Sequence, residues 1–286
     1  MTLLLYGYSI HIILFFHFSV LQTMKKMEIN EARVAKVMPS RTFSVQIHPT
    51  VDKTLLLVGG KCGELGIWDV ERKDETCGAY YLSPHSRPIN CLTVDPWNHR
   101  HLYTTSYDGS LRRTDLEADI INESFHRWLR CQLILQVDLR AGEKKPVEYL
   151  VHNKMSVKLV TVHPTQNHYF ATASRDGLVL KEFHLLMVYT GEMMMSVLFE
   201  RKIPHNNQTG RWLTTFKAHY VPCREDLIVV GSLLQQRRVE IWGCDGQLKH
   251  NFMGEHFASV ASVTALHPTL PVLAGCNSSG RVHVFK

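Results

Sequence analysis

Seventeen histidines and seven cysteines give this chain material for metal or nucleophilic chemistry, but their spacing supplies neither. The cysteines stand at 62, 77, 91, 131, 223, 244 and 276 without a CxxC pair, and no histidine pair falls in an HExxH arrangement. Zinc sites and disulfide frameworks need paired ligands, and scattered cysteines in odd number suit reduced thiols of the nucleus or cytosol. GGKCGELG at 59–66 has the look of a phosphate loop, but it lacks the GxxxxGK[ST] spacing and Cys62 follows Lys61. No GxSxG and no acid–base pair stands out, so neither an enzyme nor a cofactor nor a bound metal is expected. What remains is basic and aromatic: Arg41, Lys61, Arg112, Arg113, Arg175, Arg211, Arg237 and Arg238, with Trp212 beside Arg211. Gathered on one face, such residues would neutralise phosphates and offer a ring for stacking. Spread around the side walls, they would only solubilise the chain. Trp212 fits equally the core of the strand that follows it, and Arg211 a solvated surface.

The elements that must position these residues come from an internal repeat. An alternating apolar run ends in a proline turn, a second apolar run follows, then a turn with glycine, then a third run. The copies cover 43–70, 89–116, 157–183 and 262–286. A further copy spans 213–243 and opens with LTTFKAHYVP. The interval from turn proline to turn glycine is nearly constant: Pro49 to Gly63, Pro96 to Gly109, Pro164 to Gly177 and Pro268 to Gly280. Alternating or β-branched runs bounded by Pro, Gly, Asn and Asp read as short strands. Sheets of this kind bury both faces only when stacked on neighbours. The offset between the first two copies is close to the roughly 40–45 residues of a WD repeat. The fold class is therefore all-β, a WD-repeat β-propeller, and the HP, DG and IWD motifs are turn and packing residues before they are anything else.

The repeat breaks twice. The intervals from Pro96 to Pro164 and from Pro164 to Pro222 are each too long for one unit and too short for two. The first contains QLILQVDLR, which reads as the end of a blade whose earlier strands are missing; the second contains GEMMMSVLFERKIPH, another remnant. Five clear repeats plus two partial ones suggest a seven-bladed parent. Residues 32–38, ARVAKVM, should pair with 281–285, RVHVF, as the outer strand of the last blade, because an open propeller would leave strand edges exposed. Domain boundaries follow: 1–31 is an extension and 32–286 the propeller. Residues 3–21 carry no Lys, Arg, Asp or Glu and are long enough to span a bilayer, but they lack the flanks of a signal peptide. They are expected not to be a functional anchor, with Met24 an alternative start. The chain is 45% apolar and 20% charged with formal charge +6, which is globular and compatible with an anionic partner.

RTFSVQIHP, VGGKCGELGIWD, HNNQTGRWLTTFKA, RRVEIW and ALHP with LAGCNSSGRVHVF together resemble the WD repeat-containing protein 76 / damaged-DNA-binding protein two family of WD-repeat proteins, over roughly residues 33–286. The resemblance implies a seven-bladed propeller, a nuclear location with room for a cytoplasmic pool, and binding to DNA or chromatin in the DNA damage response. It also implies docking on the adaptor of a cullin-four ubiquitin ligase as a substrate receptor. Arg41, Lys61 and Arg175 match basic positions of a DNA-facing surface. The loop from His205 to Trp212 stands where the damage-binding relative inserts a wedge into the duplex, so His205, Asn207, Arg211 and Trp212 become nucleic-acid-binding candidates. Asn207, Gln208 and Thr209 replace the wedge side chains, and damage-specific base extrusion is not expected. The ligase-docking signature, Trp-Asp-x-Arg, is missed at IWDVER because Glu71 holds the basic position; QVDLR keeps Asp138 and Arg140. A propeller without nucleic-acid contact, binding only other proteins through its faces, is the alternative reading.

Overall fold

The computed structural model describes residues 20–72, 78–118, 120–126, 133–136, 147–150, 157–162, 169–174, 186–189, 205–206, 208–224, 226–243 and 245–286. The chain forms two units, Met1–His126 with Thr209–Lys286, and Arg127–Gln208. In the first unit, β1 (Val34–Lys36) precedes β2 (Thr42–Ile47), β3 (Leu55–Gly60), β4 (Leu65–Asp69) and β5 (Ala79–Leu82), and the last four form one antiparallel sheet. A second sheet is β6 (Ile89–Val94), β7 (His101–Ser106), β8 (Ser110–Asp115) and β9 (Ile120–His126). In the second unit, β10 (Leu133–Gln136) pairs with β11 (Val147–Leu150), and β12 (Val157–Val162), β13 (Tyr169–Ser174) and β14 (Leu186–Tyr189) form a three-stranded sheet. The first unit then resumes with the sheet β15 (His219–Tyr220), β16 (Leu227–Gly231), β17 (Val239–Gly243) and β18 (Leu248–Phe252). Its last sheet is β19 (Val263–Leu266), β20 (Leu273–Cys276) and β21 (Arg281–Phe285), completed by β1.

Each expected copy thus corresponds to a sheet, and the first broken interval contains the two-stranded pair. The second remnant lies almost wholly outside the described residues. Closure follows the sequence expectation: Val34, Ala35 and Lys36 pair antiparallel with His283, Val282 and Arg281. The chain is held to this sheet from further upstream as well. Met24 and Met27 pack with Phe252 and Phe285, and Glu28 exchanges backbone hydrogen bonds with Lys286. Residues 1–19 of the apolar N-terminal run lie outside the described residues, and no described helix is long and apolar enough to cross a membrane.

Strand alternation explains the packing. Leu56, Val58 and Trp68 face the last sheet, where Val263, Val272, Ala274, Val282 and Val284 complete one core. Leu57, Leu65 and Ile67, the intervening positions, meet Ile89, Leu92, Val94 and Leu102 of the second sheet. A sheet buried on both sides reads as a continuous apolar run, which is why LLLV at 55–58 lacks polar alternation. The turn glycines are required by geometry. Gly63 has φ +92°, and a Cβ there would sit 2.0 Å from the His85 carbonyl oxygen.

The HP turns also join neighbouring sheets. His267 Nδ1 accepts from the Thr269 and Leu270 N–H groups (3.1 and 2.9 Å), leaving Nε2 to donate to Thr50 O of the first sheet's turn (3.0 Å). His48 repeats this one sheet further on, with Nδ1 accepting from Thr50 N–H (3.2 Å) and Nε2 donating to His99 O (2.9 Å). Only the neutral ring can accept at one nitrogen and donate at the other. Burial is the main reason that the His48 pKa lies below its ordinary value, with repulsion from His99, Lys53 and His267 adding to it and the bond to His99 opposing it.

Candidate nucleic-acid interface

Antiparallel pairing brings the candidate basic turns to one end of the first unit. Thr42 is paired with Gly60, so Arg41, which precedes Thr42, and Lys61, which follows Gly60, leave the sheet at the same end. Ile89 is paired with Ser106, which puts Tyr107 there too. The Lys61 side chain is exposed. Its turn is braced by Glu64, which accepts from Ser40 Oγ (3.1 Å) and the Cys62 N–H (2.9 Å), while Lys61 N–H donates to Ser40 Oγ (3.1 Å).

The next turn is braced by a buried network that the sequence motifs do not announce. His85 is 2.8 Å from Thr104 Oγ1 through Nε2 and 3.0 Å from Asp108 Oδ2 through Nδ1. Asp108 also accepts from Ser86 N–H (3.2 Å) and from the N–H and hydroxyl of Ser110 (2.9 and 2.6 Å). Burial alone would raise the Asp108 pKa, but the bonds from Ser110, Ser86 and His85 outweigh it and hold the carboxyl well below the usual range. The legible signal is a histidine in the loop before one inner strand and a DG turn one hairpin later.

The segment Gly210–Lys217 departs from expectation. The alternation of LTTFKAHY predicts an inner strand, but only His219–Tyr220 pairs with its own sheet. The preceding residues lie instead along the inner edge of the first sheet. Arg41 Nη1 donates to Arg211 O (2.7 Å), Thr214 Oγ1 donates to Thr42 O, and Lys217 Nζ donates to Phe43 O (3.2 Å) and Asn90 O (2.9 Å). Carbonyls on an open inner edge require donors, and this strap supplies them. Among the described residues Lys217 has no carboxylate as a hydrogen-bond partner, and burial lowers its pKa. His219 is pushed down to about 4 by burial and by the Lys217 charge.

Trp212, for which a core position was one of two readings, is 84% exposed, and Arg211 is exposed beside it. Arg41 is only partly exposed, and its guanidinium lies 4.9 Å from the centroid of the Phe43 ring. Phe43 in turn meets Tyr107 edge-on at 6.5 Å. Arg112 and Arg113 take opposite faces of β8: Arg112 Nη1 donates to Pro84 O, and Arg113 lies against Tyr103. Arg237 donates to Leu233 O within its own turn (2.7 Å), and Arg238 is ion-paired with Glu240 (3.2 Å). Arg238 is therefore neutralised by its carboxylate partner, whereas Arg237 is tied to its own turn. His205, in the second unit, is buried. Arg175, Asn207, Asp138 and Arg140 lie outside the described residues. Among the described residues no three His, Cys, Asp or Glu side chains group as a metal site.

Repeated antiparallel sheets, four of them four-stranded and packed side by side through shared cores, with a His–Asp brace between loop and hairpin, define a WD-repeat β-propeller protein. The WD domain, G-beta repeat, matches residues 77–113, the copy that holds His85 and Asp108. The β-propeller domain of Cps50 (Swd1) from Myceliophteria thermophila superposes with TM-score 0.59 at 15% identity, covering 91% of this chain and 99% of that one; it speaks for the fold alone. The chain is similar to curated proteins named WD repeat-containing protein 76. It is 30% identical to that protein of Xenopus laevis and 32% identical to that of Rhinolophus ferrumequinum, over 92% and 91% of this chain and 56% and 51% of theirs. It is also 24% identical to the DNA damage-binding protein CMR1 of Chaetomium globosum, over 86% of this chain and 64% of that one. The chain spans about half the length of the curated relatives named WD repeat-containing protein 76 that it matches. The Xenopus match runs over 323 positions, more than the 286 residues of this chain, so that relative carries residues within the matched span that this chain lacks.

Proposed function

We propose that this chain is a DNA- or chromatin-binding WD-repeat scaffold of the DNA damage response, working in the nucleus, and that it meets nucleic acid at the end of the first unit where Lys61, Arg211 and Trp212 are exposed. The observation that carries the reading is the exposed Arg211–Trp212 pair, held out by a strap on the inner strands, at the end where Lys61 also leaves its sheet. Cations there supply affinity without sequence preference, and an exposed indole adds a stacking face. The name of the CMR1 relatives, DNA damage-binding protein, supports the same reading. Salt-titrated DNA binding tests it. Each phosphate that a cation neutralises adds about 0.9 to the steepness with which affinity falls on a logarithmic salt scale, so Lys61→Glu with Arg211→Glu should flatten the slope by roughly two. Absence of wild-type binding at low salt refutes the DNA reading and leaves a scaffold that binds only proteins. Docking on a cullin-four ligase adaptor is the finer role that Asp138 and Arg140 would serve. In the first sheet the corresponding position is Glu71, which is committed to Thr54 (2.7 and 2.8 Å) and Lys286 (2.8 Å).

A further inference from the structure

We infer that Arg41 is a positioning residue, which pins the strap Gly210–Lys217 so that Arg211 and Trp212, rather than Arg41 itself, meet the nucleic acid. The inference rests on the DNA-binding reading of this end of the unit and assigns its parts differently from the family resemblance, which made Arg41 a contact.

Three anchors hold the strap, and they fall in step. Residues 211, 214 and 217 bond in turn to Arg41, to the Thr42 carbonyl and to the Phe43 carbonyl. One anchor in three along the strap meets consecutive residues of the inner strand, so the strap has a fixed register on that edge. Arg41 is the outermost anchor and the one nearest the exposed pair. Its Nη1 is spent on Arg211 O at 2.7 Å, its guanidinium plane is engaged with the Phe43 ring, and its Nε is buried without a partner. Turning outward to a phosphate would forfeit both the bond and the ring interaction. Upstream, Gly210 has φ +61°, and a Cβ placed on it would meet nothing within 4 Å. The strap is therefore held at its Thr214–Lys217 end, where Phe216 is also buried, and unhindered at Gly210, so removing the outermost anchor should release Arg211 and Trp212 first.

The experiment is a double-mutant cycle on DNA binding across salt, run beside limited trypsinolysis of the same chains without DNA. Arg211→Gln alone should lower the salt slope by about one. Arg41→Gln alone should weaken binding to a similar extent, because Arg211 is then no longer held where it meets the phosphate. In a background that already carries Arg211→Gln and Trp212→Ala, Arg41→Gln should add nothing further, the non-additivity expected of residues acting through one another. Without DNA, Arg41→Gln should speed cleavage at the Arg211–Trp212 bond about tenfold while cleavage after Arg281, within β21, stays unchanged, which separates strap release from unfolding. Additive losses in the cycle, or unchanged cleavage at Arg211, overturn the inference. If the wild-type chain binds no DNA at any salt, the functional reading fails, and the cleavage rates still decide whether Arg41 pins the strap.

Discussion

Acidification should destabilise this chain well before its carboxylates are titrated, and His283 shows why. It sits in β21 with 2% of its surface exposed, packed edge-on against Phe257 at 5.0 Å, and its Nδ1 has no partner. Burial holds its pKa down to about 4 from an ordinary 6.5; a bond to the Gly275 backbone opposes this, and the nearby Arg281 charge adds to it. The unfolded chain takes up the proton first. Between pH 6.5 and about 4 the unfolded state therefore holds more protons than the folded one, and stability falls with pH through that window. At about pH 5 the loss is on the order of 2 kcal/mol for a histidine shifted this far. His219, likewise at about 4, contributes a loss of the same sign, and His48 and His250 add to it in the same direction. Against a typical domain stability of roughly 5–15 kcal/mol this is a large fraction. Urea midpoints measured at about pH 8, 6.5 and 5 should fall steadily in the wild type. His283→Phe, which removes the titrating group and keeps an aromatic ring against Phe257, should flatten the fall by about 2 kcal/mol. A wild-type midpoint that stays level over that pH range, or a His283→Phe profile parallel to the wild type, would refute the reasoning.

Two further outcomes follow from the packing. Deleting Val34–Lys36 strips the outer partner from β21, whose Val282, Val284 and Phe285 are fully buried; a cost on the order of 3 kcal/mol would lower Tm by roughly 6–12 °C, and an unchanged Tm would mean that β1 does not close the sheet. Gly63→Ala places a Cβ against the His85 carbonyl at a positive φ, so urea unfolding should show a loss of at least about 2 kcal/mol, whereas Ala at the unhindered Gly246 should cost less.

The periodic parts of the fold were legible because each strand's neighbours are set by local rules. Pro49, Gly63, Pro268 and Gly280 mark turns whose φ values and hydrogen bonds the backbone demands, and 32–38 could be matched with 281–285 because an unpaired outer edge is costly. Lys61 at a surface turn was equally local. The strap was not legible. LTTFKAHY alternates well enough for a strand, and what overrides the alternation is the set of carbonyls offered by Thr42, Phe43 and Asn90, far away in sequence. Arg41 has the residue type of a phosphate ligand, while its bond to Arg211 O is a tertiary fact. The one local warning was Lys217, a charge set into an otherwise uncharged run that the repeat would have placed on an innermost strand.

That lysine also explains why the strap lies where it does. An ammonium group drawn into the protein needs its donors satisfied, and two of the three go to carbonyls on different sheets, Phe43 O and Asn90 O. An inner strand in regular pairing would direct its N–H and C=O groups to its own sheet and leave those carbonyls to water. Here the inner strand of the sheet β15–β18 is reduced to two residues, and the chain before it serves the first and second sheets instead. The matched Xenopus relative carries residues within the matched span that this chain lacks, so this chain folds its repeats with less material. By giving up most of one inner strand, this chain covers the Thr42, Phe43 and Asn90 carbonyls, and the same displacement leaves Arg211 and Trp212 in solvent.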